Sequence, residues 1–191
     1  MDKVTLFSTD IWKVNVKEWK NVKNEILDLI PDYSEKYSSN ITAPPPPFPK
    51  DYEPFYTDFF DDDGEELSEY RNKFLDLVSP YIKQFSKLTP QKKIKTIINV
   101  WCQKYGKLSH HSIHDHGSVG YSAIFYASVD ESKESGTFFI SPHFDEYGGR
   151  PQLTIQPAEG DLVFFPSYLL HSSPLNESGK ERIIISFNMG V

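Results

Sequence analysis

The sequence predicts a mainly β fold with helices at its N-terminal end: a double-stranded β-helix, or jelly roll, flanked by two main helices. Three observations predict it. From Ile94 onward, seven short segments rich in β-branched and aromatic residues recur at roughly even spacing between turn residues: KTIINVWCQ, HSIHDH, YSAIFYASV, GTFFISP, PQLTIQP, DLVFFP and RIIISFNM. That is the texture of a sandwich or barrel rather than of alternating strand–helix units. Ahead of them, two stretches carry apolar residues at helical intervals. Histidines at 114 and 116 sit on one β segment and His171 just beyond another, places that a barrel brings together at its open end.

Taken in order, Val4 to Val16 alternates loosely and is rich in β-branched and aromatic residues, so one or two short strands are expected there. Trp19, Val22, Ile26 and Leu29 follow at intervals of 3, 4 and 3, one apolar helix face that ends before Pro31. Residues 31–63 read as irregular. Pro44–Pro47 favours polyproline II, and Asp61–Asp63 suits a solvated loop running into a helix N-terminus. The stretch 41–63, rich in Pro, Tyr and Phe, is a candidate lid. Leu67, Tyr70, Phe74, Leu77, Tyr81 and Phe85 trace a second amphipathic helix, with a kink expected at Pro80. The whole chain, 1–191, reads as a single domain. Residues 1–92 hold the N-terminal strand, helices and Pro-rich loop, and residues 93–191 the jelly-roll core.

Composition narrows the function. The 191 residues include 20 basic and 27 acidic ones, for a net charge of −7, which argues against binding a phosphate backbone. Cys102 is the only cysteine, which leaves neither an internal disulfide nor a cysteine-based zinc site. No signal-like leader and no run of about 18 apolar residues is present, so a cytoplasmic location without membrane insertion is expected.

The stretch SHHSIHDHGSVGYSAIFY, residues 109–126, carries four of the six histidines. On an extended strand His114 and His116 leave the same face, and two neutral imidazoles side by side begin a site for zinc, copper, iron or nickel. His171, 55 residues beyond His116, follows the strand Leu162–Phe165 and a tight loop, which makes it the third arm. On the last segment Arg182, Ile184, Ser186 and Asn188 face one way, and Ile183, Ile185, Phe187 and Met189 the other. The second face is core. The first puts Arg182, Ser186 and Asn188 toward the barrel cavity. A buried guanidinium there needs an anion, either a bound dicarboxylate or a salt bridge to Glu159 or Asp161.

The combination of HxH, a short glycine-containing turn, SAIFY, GDLVFFPSYLLHSS and ERIIISFN resembles the 2-oxoglutarate- and ferrous-iron-dependent oxygenases. It is most similar to a branch found in phages and marine bacteria with an HxHxxxxxxSGVYY pattern. His114, His116, Ser122 and Tyr126 fall in those places, with Ala123 where the pattern has glycine. The opening LFSTDIW is similar too. The resemblance implies Fe(II) held by His114, His116 and His171, with Arg182 on the distal carboxylate of 2-oxoglutarate. Tyr126 and Ser122 would hydrogen-bond the same co-substrate, or serve as edge residues with backbone partners. It implies oxidative decarboxylation of 2-oxoglutarate with O2 to succinate and CO2, coupled to hydroxylation of a small-molecule or peptide substrate. The chain departs from the superfamily's usual HxD order: His116 stands at the second position, and Asp115, between the two, points away on a regular strand. His110 and His111 are expected to be exposed, with His111 reaching the site only through a local bulge. His143 is a loop or substrate-side residue, and Trp101 lines the substrate pocket or packs in the core.

Two other readings compete. Gly160, Pro166, His171 and Asn176 look like a second cupin motif and HxH like a first, although the glutamate expected after HxH is missing. A metal-binding cupin that does not use 2-oxoglutarate would be an isomerase, another dioxygenase or a sugar-binding module, and it has no need of Arg182 inside the cavity. A non-catalytic structural jelly roll leaves the three histidines without a role.

Overall fold

The computed structural model describes residues 8–32, 38–39, 47, 49–59, 68–89, 94, 96–132 and 136–191. The expected β structure before residue 8 lies outside the described residues, as do residues 41–46, 48 and 60–63 of the candidate lid, among them the prolines 44–46 and the aspartates 61–63. In chain order the elements are β1 (Trp12–Asn15), α1 (Trp19–Leu27), β2 (Ser38–Ser39), β3 (Phe55–Thr57), α2 (Glu69–Leu88), β4 (Thr96–Tyr105), β5 (His111–His114), β6 (Tyr121–Ser128), β7 (Phe138–Ile140), β8 (Gln152–Thr154), β9 (Asp161–Pro166), β10 (His171–Ser173) and β11 (Arg182–Gly190).

The strands form two antiparallel sheets. The larger runs β1-β9-β6-β11-β4-β3-β2 and the smaller β5-β10-β7-β8, the two faces of a jelly roll. All seven segments expected from Ile94 onward are strands. The central ones read as unbroken apolar runs because they are buried on both faces. On β6, Ala123, Phe125 and Ala127 point to the helices, while Ile124 and Tyr126 point between the sheets. On β9, Leu162 and Phe164 face the helices, and Val163 and Phe165 the interior. On β11, Ile185, Phe187 and Met189 face the helices and Ile184 the interior, as the alternation predicts.

Both helices cover the outer face of the large sheet. Trp19 lies edge-on against Phe125, with ring centroids 4.9 Å apart, and its indole N–H donates to the Ala127 carbonyl at 3.1 Å. Phe85 stacks on Phe164 at 4.4 Å, and Phe74 meets Phe125 at 5.2 Å. Full burial of one such ring contributes about 1.5–3 kcal/mol. The second helix passes through Pro80 as one element.

Three strands were not visible in the sequence. β10 has three residues, too few to show a period. β2 and β3 lie in the region expected to be irregular, and β3 adds to β4 with Phe55 opposite Tyr105. Just after β3, the fully buried Asp58 ties three elements together. Its carboxylate accepts the Cys102 N–H at 2.6 Å and the Tyr70 hydroxyl, and pairs with Arg71 at 3.2 Å. Burial pushes this carboxyl up from the usual range, against the pull of those partners.

Candidate metal centre

β5 and β10 are paired so that His114 stands opposite His171. His116 lies just past the end of β5, where its N–H donates to the Ser167 carbonyl at 2.8 Å. The turn that follows depends on Gly120: its φ is +95°, and a Cβ there would lie 2.3 Å from the Met189 carbonyl oxygen. These constraints bring three imidazoles together. Ring centroids are 4.2 Å apart for His114 and His171, 5.0 Å for His116 and His171, and 5.2 Å for His114 and His116. One ring nitrogen from each lies within 4.8 Å of the others.

Each imidazole is held by its other nitrogen. The Nδ1–H of His114 donates to the Ser112 carbonyl at 2.7 Å, that of His171 to the Leu169 carbonyl at 2.9 Å, and that of His116 to Asn188 Oδ1 at 2.7 Å. A carbonyl oxygen only accepts, so Nδ1 carries the proton and Nε2 keeps a bare lone pair in all three. Burial holds the three below the usual histidine range and therefore neutral. Three neutral donors with oriented rings fit a divalent transition ion. Among the described residues no carboxylate joins them. Asp115 is turned outward, where its Oδ1 accepts the Gly117 N–H at 2.9 Å.

Asn188 is part of this support. Its Oδ1 also accepts the Ser122 hydroxyl at 2.7 Å, and Ser122 meets Ser167 Oγ at 3.0 Å. Ser122, expected on the co-substrate, thus spends its hydroxyl on the residue that holds His116. Asn188 had been placed on the cavity face by its phase with Arg182, but nothing in the sequence paired it with a particular histidine.

The expectation that His111 is exposed is corrected. Between the His171–His114 pair and the Ser173–His111 pair, β10 advances two residues and β5 three. The extra residue on β5 is a β-bulge. Ser112 and Ile113 both turn outward, and His111 turns in. Its ring stacks on His114 at 4.0 Å and lies 5.4 Å from Phe55, while Nδ1 meets Gln103 Nε2 at 3.1 Å. Burial pushes its pKa down to about 3.

Arg182 is 1 % exposed on the cavity side of β11. Its guanidinium lies 4.4 Å from the Tyr105 ring centroid and donates to the Pro174 carbonyl at 2.9 Å. The two carboxylates that competed for it are engaged elsewhere, Glu159 with Lys23 at 2.7 Å and Asp161 with Lys13 at 2.6 Å. Tyr126 faces the same interior, its hydroxyl 2.6 Å from Thr137 Oγ1. Between the triad and this end lies a narrow cavity of ≈ 20 Å³, lined by Gln103, Tyr105, His111, Thr137, Ser173 and Ser186 together with the triad. A second cleft of ≈ 330 Å³ is walled by Ile11, Phe139, Pro142, His143, Phe144 and Leu169; of these, Phe139 has its ring 5.9 Å from that of His171. Trp101 lies 5.4 Å from the His116 ring and edge-on to Phe59 at 4.9 Å. Asn176 is structural, donating to the Tyr105 and Lys180 carbonyls at 2.8 and 2.9 Å.

Residues 99–188 match a family model described as "Putative 2OG-Fe(II) oxygenase". No curated protein sequence matches the chain. Among solved structures, a Pseudomonas putida prolyl-4-hydroxylase is similar at 12 % identity and TM-score 0.61, covering 96 % of this chain and 93 % of that one. A Trichoplax adhaerens prolyl hydroxylase, solved with a hypoxia inducible factor peptide fragment, gives 13 %, 0.61, 94 % and 83 %. The viral collagen prolyl hydroxylase of Paramecium Bursaria Chlorella virus-1, in its 2OG complex, gives 14 %, 0.56, 95 % and 96 %. At these identities the likeness is one of fold.

Proposed function

We infer, from the match of residues 99–188 to a family model of 2OG-Fe(II) oxygenases and the clustering of three imidazoles, that His114, His116 and His171 are the iron ligands and Arg182 the anchor of the co-substrate's distal carboxylate. The protein is a non-haem iron oxygenase that couples decarboxylation of 2-oxoglutarate to hydroxylation of its substrate. The observation that carries the ligand assignment is the convergence of one ring nitrogen from each of three imidazoles, every ring having its Nδ1 on an acceptor, which leaves Nε2 for a metal.

Iron supplies the activation of dioxygen when it is bound. The chain does the rest. Three imidazoles on one side leave the other side open for a chelating 2-oxo acid. They add no negative charge, so the dianionic co-substrate would bring the first compensation of the metal's charge. Arg182, packed against the ring of Tyr105, which itself lines the cavity, is the guanidinium nearest the Tyr105 end and would meet the distal carboxylate there. The cavity is narrower than a five-carbon diacid, so wall side chains part as it enters. Phe165 and Phe139, with ring centroids 4.8 and 5.9 Å from His171, keep that side of the site dry. The larger cleft, apolar apart from residues such as Ser141 and His143, is where we place a small-molecule or peptide substrate.

The test is succinate formation from 2-oxoglutarate with ferrous iron, with metal binding measured in parallel. Arg182→Ala and His171→Ala should both abolish turnover, and only His171→Ala should greatly weaken metal binding. A metal-binding cupin that does not use 2-oxoglutarate would bind metal, form no succinate and be indifferent to Arg182→Ala.

A further inference from the structure

Four histidines meet in this barrel, and the fourth is wired in the opposite sense to the other three. At His114, His116 and His171 an acceptor faces Nδ1, which leaves Nε2 bare. At His111 the Nδ1 faces a side-chain amide. The Ser186 hydroxyl donates to Gln103 Oε1 at 3.2 Å, which turns the Gln103 NH2 toward His111 at 3.1 Å. An NH2 group only donates, so His111 Nδ1 is the acceptor and the proton of this neutral ring sits on Nε2. His111 is therefore an N–H donor standing beside three lone-pair donors, stacked on the His114 ring at 4.0 Å and in the wall of the same narrow cavity.

In the same wall the Ser186 hydroxyl is spent on Gln103, while Thr137 and Tyr126 are bonded to each other. The His111 Nε2–H is a ring donor in that wall, beside the metal end. We propose that His111 donates this hydrogen bond to the metal-chelating, 2-oxo acid end of the co-substrate, with Ser186 and Gln103 as the positioning residues that fix its tautomer. The inference rests on the oxygenase reading and deepens it, since Arg182 serves the opposite end of the same molecule. A donor aimed at the chelating end distinguishes a 2-oxo acid from a simple carboxylate and holds it in one orientation before dioxygen arrives.

The experiment measures binding without turnover, using Co(II)-loaded protein titrated anaerobically with 2-oxoglutarate and, separately, with pyruvate, which has the 2-oxo acid end but no distal carboxylate. His111→Phe keeps a ring against His114 and Phe55 but removes the donor, and should weaken both acids by about tenfold or more while leaving Co(II) affinity unchanged. His111→Gln, which restores a side-chain N–H, should recover part of that loss. Arg182→Ala should weaken 2-oxoglutarate and leave pyruvate unaffected. Unchanged binding in His111→Phe overturns the proposal. Tighter binding overturns it too, and makes His111 a plug in the cavity rather than a donor. If the native protein binds neither acid, the oxygenase reading itself falls, a result distinct from native binding that is indifferent to His111.

Discussion

Asn188 gives the sharpest test of how the metal centre is held. Its Oδ1 receives two hydrogen bonds of 2.7 Å, one from His116 Nδ1 and one from Ser122. Asn188→Leu keeps the side chain's size and removes the acceptor. Ser122 retains Ser167 at 3.0 Å, so the stranded group is the His116 Nδ1–H. That imidazole then loses both its tautomer lock and its orientation. Removing such a support typically costs about 10–100-fold in metal affinity, or about 1.4–2.7 kcal/mol. The buried donor left without a partner costs a further about 1–3 kcal/mol of fold stability. Asn188→Asp keeps the acceptor and adds charge, so it should bind metal at least as tightly as the native protein. Ser122→Ala leaves His116 its acceptor and should shift affinity far less. The assay is competition for Co(II) against a chelator, with thermal unfolding alongside. Native-like affinity in Asn188→Leu refutes the reasoning, as does equal weakening in the Asp and Leu variants, which would make packing rather than the acceptor decisive.

Two further outcomes follow from the frame around the site. Arg71→Leu leaves the Asp58 carboxylate buried without its cation and should cost about 3–5 kcal/mol in denaturant unfolding. Because burial already raises the Asp58 pKa, the folded variant takes up a proton more readily than the unfolded chain does. The deficit should therefore be greatest at neutral pH and shrink as pH falls toward the folded-state pKa; a pH-independent deficit contradicts this. Gly120→Ala places a Cβ against the Met189 carbonyl at a positive φ, at a cost of about 1–3 kcal/mol from backbone strain alone. It should also weaken metal binding by displacing His116, and native behaviour in both measurements would remove the turn from the site's design.

Much of this architecture was legible because the long central strands are buried on two faces, which leaves continuous apolar runs such as Leu162–Phe165 that no surface element carries. The helices were legible for the complementary reason, one apolar stripe each. The three histidines were legible as a set because an i, i+2 pair and a residue after a tight loop suit the mouth of a barrel. Legibility failed where geometry departs from period. β10 is three residues long, and β3, three residues after Pro and Glu, shows its strand character only once Tyr105 stands opposite Phe55. For His111 the bulge could be named only as the alternative to exposure, because an insertion in register cannot be counted on a single strand without its partner. Asn188 was in phase with the cavity, yet its bond to His116 spans 72 positions of chain.

The extra residue in β5 has a consequence for how this site can be altered. Deleting Ser112 would restore two-for-two pairing with β10 and leave His111 two positions from His114, so both rings would keep the cavity face without a bulge. The bulge is thus what lets a spacing of three along the chain place two imidazoles on one face, and a three-histidine version of this pocket calls for exchanging the side chain at 111 rather than for shortening the strand.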